Sequence, residues 1–229
     1  MIESATGLVL RTRPLTETSL IVQWLTPGLG RLATVAKGAR RPKSPFRGKL
    51  DLFYLADFSF ARSRRSELHT LREVSLRETH RVLRQELSAL EQASYCAALV
   101  EHATETETPL PAVFELFIGL LNRLSAGPVR TETVFAFELK LLQELGLQPH
   151  REQTRLEAGT KELLKTLTSG DWSLIARLRP SESQLQSLDQ FLHGFLTYHL
   201  GKVPRGRNLA LQRPSPGRSA LGVARLEGS

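Results

Sequence analysis

Apolar residues recur at every second position through most of the first 80 residues, which is the period of a strand with one buried face. Within residues 19–26, Leu20, Val22 and Trp24 share one face, and the glycine-rich turn at 27–30 predicts a hairpin. The candidate strands are residues 7–13, 19–26, 31–37, 50–61 and 67–75. Five strands in a segment of this length favour an OB-fold β-barrel, although an SH3-like barrel has much the same pattern.

From about residue 81 the apolar period becomes helical. Leu83, Leu87 and Leu90 begin the first stripe, and prolines at 109 and 111 interrupt the pattern before the second. Further helices are predicted at 113–124, 131–145 with Gly146 as its C-terminal cap, 160–168, and from a cap at Ser181 or Ser183 to about Leu200. The segment 147–182 has a weaker pattern, and a loop is expected around Pro180.

The change of period predicts an α+β protein in which an N-terminal five-stranded OB-fold barrel precedes an α-helical domain. We place the nucleic-acid-binding barrel at residues 1–80 and the helical domain at residues 81–200. Residues 201–229 are rich in Gly, Pro, Ser and Arg, so a basic, flexible tail is expected there, disordered at least beyond Leu211.

Charge is distributed unevenly along the 229 residues, which carry a net charge of +8. Residues 1–80 have a net charge of +7 and residues 201–229 of +5, whereas residues 81–200 have a net charge of −4. A positive field at the two ends favours a polyanionic partner. The chain has no apolar run of membrane-spanning length and no secretory pattern at its start, so we expect a cytoplasmic protein.

The segment 37–49 carries six basic residues and no acidic one. Two prolines and two glycines predict a loop between strands, where cations can track phosphates while Phe46 stacks on a base. The candidate DNA-binding residues are Lys37, Arg40, Arg41, Lys43, Arg47 and Lys49, with Arg62, Arg64 and Arg65 as an extension of the same surface. The alternative is that these basic residues are ordinary solvated surface charges and bind no nucleic acid.

Other candidate residues favour structural roles. Tyr54, Phe58 and Phe60 have strand spacing and are interpreted as core rather than as a stacking platform. Arg72 and Arg77 are interpreted as keeping the last strand soluble, and the single cysteine, Cys96, as an inert buried thiol. The acidic run Glu101, Glu105 and Glu107 is interpreted as solvated charge. No catalytic or metal-binding pattern is evident, so we do not expect an enzyme or a cofactor.

Several stretches closely resemble RecO proteins, a bacterial family of DNA repair and recombination mediators. The close matches are GLVLRTRPLTETSL at 7–20, LT at 25–26, GRL at 30–32 and VAKGAR at 35–40, of which the run KGAR is the most recognisable part. Looser matches are GKL at 48–50, TLREV at 70–74, FELKLL at 137–142 and LGL at 145–147. The resemblance is good to about residue 80 and remains collinear to about residue 200.

The resemblance implies binding of single- and double-stranded DNA, annealing of complementary strands, and recombinase loading with RecR in the RecFOR pathway. It also implies contact with the C-terminal tail of single-stranded-DNA-binding protein, and an association with the nucleoid. A groove for that tail near Lys140, Arg177 or Lys202 is a guess. Many relatives carry a four-cysteine zinc motif, but residues 148–161 contain no cysteine, so no zinc is expected.

Two other functions remain open at this stage. A structural or ribosome-associated RNA-binding OB-fold protein would have much the same charge and barrel, and strand annealing distinguishes the two. A nuclease is the third and least favoured interpretation, because the chain has no paired carboxylates near a metal-ligand spacing, and a magnesium-dependent cleavage assay tests it.

Overall fold

The computed structural model describes residues 1–149 and 154–211, and it begins with five strands. The strands are β1 (Ile2–Pro14), β2 (Leu20–Thr26), β3 (Gly30–Ala36), β4 (Leu55–Ala61) and β5 (Leu68–Glu78). They close into a barrel in the order β1-β2-β3-β5-β4, in which β3 and β5 are parallel and the other pairs antiparallel. The OB-fold prediction is confirmed, as is the hairpin between β2 and β3.

Inward-facing aromatic residues fill the barrel. Trp24 stacks on Phe58 with ring centroids 4.1 Å apart, and its indole N–H donates to Thr34 Oγ1 at 2.8 Å. Phe60 is fully buried and stacks on His69. The prediction that Phe58 and Phe60 belong to the core is therefore confirmed, whereas Tyr54 is half-buried and lies under the guanidinium of Arg84.

The fourth strand begins five residues later than predicted, because the backbone turns at Phe53. Phe53 has φ +61, the left-handed region, and its ring is buried against the helical core instead of continuing the alternation. His80 also has positive φ, and its Nδ1 donates to the Phe53 carbonyl at 2.7 Å. Each of these two strained residues thus supports the other.

Eight helices follow in the described residues. They are α1 (Val82–Gln85), α2 (Leu87–Ala103), α3 (Pro111–Ala126), α4 (Thr131–Glu144), α5 (Ala158–Ser169), α6 (Trp172–Arg177), α7 (Glu182–Leu200) and α8 (Arg207–Ala210). Helix α4 is central, since ten of its residues from Glu132 onward are buried, apolar and polar alike. No helix among these is long and apolar enough to span a membrane.

The predicted helix ends agree with the structure at both capped positions. Gly146 has φ +72 and its N–H donates to the carbonyl of Gln143, while the next N–H returns to Leu142. Ser181 forms a capping box with Gln184 at the start of α7. Helix α6, which the sequence pattern did not predict, is capped at its N-terminus by Asp171, whose side chain accepts from the N–H of Leu174.

The first part of the predicted tail differs from the expectation, because residues 207–211 pack against the helical region. Arg207, Ala210 and Leu211 are buried, and α8 lies against α2. The physical reason is a buried partner for the arginine, since Arg207 pairs with the buried carboxylate of Glu138. The rest of the predicted flexible tail, residues 212–229, lies outside the described residues.

Candidate nucleic-acid interface

The basic loop 37–49 leaves the end of β3 and is held in a defined shape. Consecutive turns run along it, with the N–H groups of Arg41, Arg47 and Lys49 each donating to a carbonyl three residues earlier. At its start, the N–H of Arg40 donates to the Thr18 carbonyl at 3.0 Å. At its end, Lys49 Nζ donates to the Val74 carbonyl at 3.2 Å. The loop is therefore anchored to the β1–β2 turn on one side and to β5 on the other.

The cations of this loop face solvent. Five of them are exposed and Lys49 is half-buried. Two guanidinium groups make single bonds to backbone carbonyls, Arg40 to Thr16 at 3.3 Å and Arg47 to Pro42 at 3.2 Å. In the described ranges none of the six forms an ion pair, so their charge is not neutralised by the protein. An ordered loop with unpaired cations is suited to phosphate contacts.

Phe46 does not present a free face for base stacking, as had been expected. Its side chain is only 7% exposed and packs into the barrel cluster that includes Phe58 and Val74. Strands β3 and β5 pair only from Ala33–Leu68 to Val35–Thr70, so the barrel wall opens beyond that point. Phe46 belongs to the loop that crosses this opening, and burial of its ring explains why an aromatic residue stands among cations.

Arg62, Arg64 and Arg65 do not extend the loop surface as predicted. Because β3 and β5 are parallel, the loop entering β5 lies at the opposite end of the pair from the loop leaving β3. Arg62 binds Glu3 at 2.6 Å and Glu107 at 2.8 Å, and its hydrogen bond with Glu3 raises its pKa. Arg64 and Arg65 are exposed and form a separate basic patch.

The acidic run 101–107 is not simply solvated, contrary to the sequence interpretation. Glu101 pairs with Arg11 of β1 at 2.5 Å. Glu107 accepts from His69 Nε2 at 2.7 Å and from Arg62, while the Ser63 N–H donates to the other nitrogen of His69. A count of charges could not reveal these partners, which lie 38 to 90 residues away in sequence.

Backbone contacts complete this junction between barrel and helices. The N–H of Glu107 donates to the Arg31 carbonyl at 2.7 Å, and the Arg31 guanidinium donates to Thr104. Gly30 has φ +66, and a Cβ there would lie 2.0 Å from the Thr108 carbonyl oxygen, so a side chain at this position would collide with the backbone. We call residues 101–108 with their barrel partners the acidic clamp.

Residues 1–149 and 154–211 contain no group of three or more His, Cys, Asp or Glu side chains that could hold a metal ion. Cys96 is completely buried, and burial raises the pKa of its thiol, as the interpretation of an inert cysteine requires. Part of the stretch in which the sequence excludes a zinc site, residues 150–153, lies outside the described residues. The absence of zinc therefore stays a prediction.

Comparison with known proteins finds the same family over both parts of the chain. Residues 1–80 match the family model described as Recombination protein O N terminal, and residues 84–154 match Recombination protein O C terminal. The DNA repair protein RecO of Exiguobacterium sibiricum is 29% identical over 89% of this chain and 82% of its own length. That of Salinibacter ruber is 36% identical over 72% and 64%. That of Rhodopirellula baltica is 30% identical over 79% and 68%.

Proposed function

The chain belongs to the RecO family of DNA repair proteins, and on that premise we propose that it is a mediator of repair and homologous recombination. In this proposal it binds single- and double-stranded DNA at the nucleoid in the cytoplasm, anneals complementary strands, and helps RecR to load recombinase. It makes and breaks no covalent bond. The observation that carries the proposal is the basic loop 37–49, whose unpaired cations stand on an OB-fold barrel.

The chemistry of the loop supports contact with the DNA backbone rather than with bases. Lys37, Arg40, Arg41, Lys43 and Arg47 project from backbone turns and offer cationic donors to phosphate oxygens. Each neutralised phosphate of a single strand releases condensed counterions and contributes about −0.7 to the slope of log K against log salt. Since phosphate contacts carry no sequence information, a protein of this kind holds any two complementary strands and raises their effective concentration for pairing.

For one protein partner, single-stranded-DNA-binding protein, we propose a site in the helical region. For the apolar, acidic tail of single-stranded-DNA-binding protein we propose a hollow of about 420 Å³ lined in part by Leu147, Phe191, Phe195 and His199. Of the cations guessed from the sequence, Lys140 is unsuited to this role because its Nζ donates to the carbonyls of Thr168 and Gly170. We propose no surface for RecR.

Strand annealing tests the proposal directly. The rate of pairing of two complementary oligonucleotides is measured, both bare and coated with the cognate single-stranded-DNA-binding protein. The test variant combines Lys37→Glu, Arg40→Glu and Arg41→Glu. The matched control makes the same charge change on the helical surface, with Lys161→Glu, Lys165→Glu and Arg179→Glu.

We expect rapid annealing by the wild type and the control, and at least a tenfold loss in the loop variant. If three phosphate contacts are lost, the salt slope falls by about 2. Annealing that is equal in all three proteins would refute the loop assignment. DNA binding by the wild type without annealing would instead favour a structural or RNA-binding OB-fold protein.

A further inference from the structure

The outer face of the barrel contains a hollow of about 720 Å³ beside the basic loop. Two rows of residues cross its floor from β1 through β4 to β5. One row is Ser4, Ser59 and Glu73, and the other is Thr6, Asp57 and Ser75. Four of these six side chains are small hydroxyl groups, which explains why the sheet surface is recessed here.

The walls of the hollow carry positive charge. The register between β4 and β5 shifts where Ser59 pairs with Glu73 and Phe60 with Leu71, so Arg72 is left unpaired in a bulge, and a bulge re-aims the side chain that it inserts. Arg72 is exposed on one side of the hollow. Lys49 and the edge of Phe46, both from the basic loop, line another side. The hollow is thus continuous with the proposed DNA-binding loop.

We propose that this hollow is a nucleobase subsite, which receives one unstacked base of a single strand bound on the loop and favours bases with an exocyclic amino group. This inference rests on the proposed function, because the strand must first be held by the loop. Phosphates stay at the rim near Lys49 and Arg72, and the base enters over the hydroxyl floor. Bases of a single strand are free to leave the stack, unlike those of a duplex.

The two carboxylates of the floor decide which part of the nucleotide enters. Asp57 accepts from Thr6 at 2.6 Å and from Arg77 at 2.7 Å, so it is fixed within the sheet, and the hydrogen bond from Thr6 lowers its pKa. Glu73 has no hydrogen bond or ion pair from a side chain in the described residues and remains an acceptor. Carboxylates repel phosphate but accept from the amino group of cytosine, whereas uracil presents an oxygen at that position. The interior of the hollow therefore suits a base.

The test compares two strands that share one sugar and differ only in their pyrimidine. Oligo-deoxycytidine and oligo-deoxyuridine of about 15 residues, long enough for an OB-fold site, are titrated by fluorescence anisotropy at equal salt. Glu73→Ala removes the acceptor, and Ser59→Trp fills the hollow with a residue that strands accommodate well. Glu67→Ala, on the exposed loop before β5, makes the same charge change elsewhere. Circular dichroism confirms that each variant is folded.

We expect the wild type and Glu67→Ala to bind the cytosine strand about fivefold more tightly, the lower end of what one specific base contact contributes. In Glu73→Ala and Ser59→Trp the ratio falls to about 1, and the affinity of Glu73→Ala for the uracil strand is unchanged or slightly higher. Equal affinity of the wild type for both strands, or a preference that both hollow variants retain, would overturn the subsite while the proposed function stands. Failure of the wild type to bind either strand would overturn both.

Discussion

A buried ion pair fastens the last described helix to the centre of the helical region. The Glu138 side chain on α4 is completely buried and accepts from Arg207 Nε at 2.7 Å and Nη2 at 3.0 Å. It also accepts from the Tyr95 hydroxyl at 2.6 Å, and burial together with the charge of Glu138 raises the pKa of Tyr95. The third guanidinium nitrogen donates to Asp189 of α7. Three helices are thereby joined through one arginine of α8.

Replacing Arg207 with Met tests how far the fold depends on this contact. The change removes two of the three donors to Glu138 and leaves a buried carboxylate without its counter-charge. Hydrogen bonds to charged groups contribute about 1.5–3 kcal/mol each, and breaking a buried pair costs about 3–5 kcal/mol. We therefore expect a loss of about 4 kcal/mol, which lowers the Tm of a chain of this size by roughly 8–16 °C.

Urea and thermal unfolding followed by circular dichroism measure the loss. Arg205→Met, at an exposed arginine two residues earlier, is the control and should stay within about 0.5 kcal/mol of wild type. Adding Glu138→Gln to Arg207→Met removes the uncompensated charge and keeps an acceptor for Tyr95, so the double variant should be more stable than Arg207→Met. A loss below about 1 kcal/mol, or a double variant less stable than the single one, would refute the reasoning.

Two further predictions concern the junction between barrel and helices. Glu107→Ala should lower the free energy of unfolding by about 1–3 kcal/mol because it leaves Nε2 of the buried His69 without its carboxylate acceptor, whereas Glu105→Ala, at an exposed neighbour, should have little effect in the same urea titration. Burial lowers the pKa of His80 below 6.5, so the unfolded chain takes up a proton there more readily than the folded one. Stability should therefore fall as the pH drops below about 6.5, and His80→Asn, which tolerates positive φ, should show a smaller fall; an unchanged pH profile would contradict this.

The secondary structure was largely predictable because its determinants are local. The glycine-rich turn that follows residue 26 and the helical stripe that ends at Gly146 each depend on residues close in sequence. Where a contact between residues distant in sequence determines the backbone conformation, the local hydrophobic pattern was misleading. Phe53 looks like one more strand residue, but its ring is buried in the helical cluster and the strand starts after it.

The candidate site was predictable in its charge but not in its geometry. The density of cations in residues 37–49 identifies the loop, yet the role of Phe46 depends on the gap between β3 and β5, which no local pattern encodes. In the same way, Arg62 and Glu107 are separated by 45 residues and were each interpreted alone. The rows of small residues in the hollow come from three strands, so they depend on the strand register, which the sequence of a single strand does not encode.

The acidic clamp fixes the barrel against the helices before any ligand binds. If a flexible linker joined the barrel to the helices, binding one ligand to each part at a fixed separation would order that linker. The lost conformational entropy would then weaken binding. Here Glu101, Thr104 and Glu107 have already fixed the two parts against each other during folding. In the proposed function, a strand bound on the barrel and a protein bound on the helices would therefore be held at one set separation and orientation, with the chain as a rigid spacer between them.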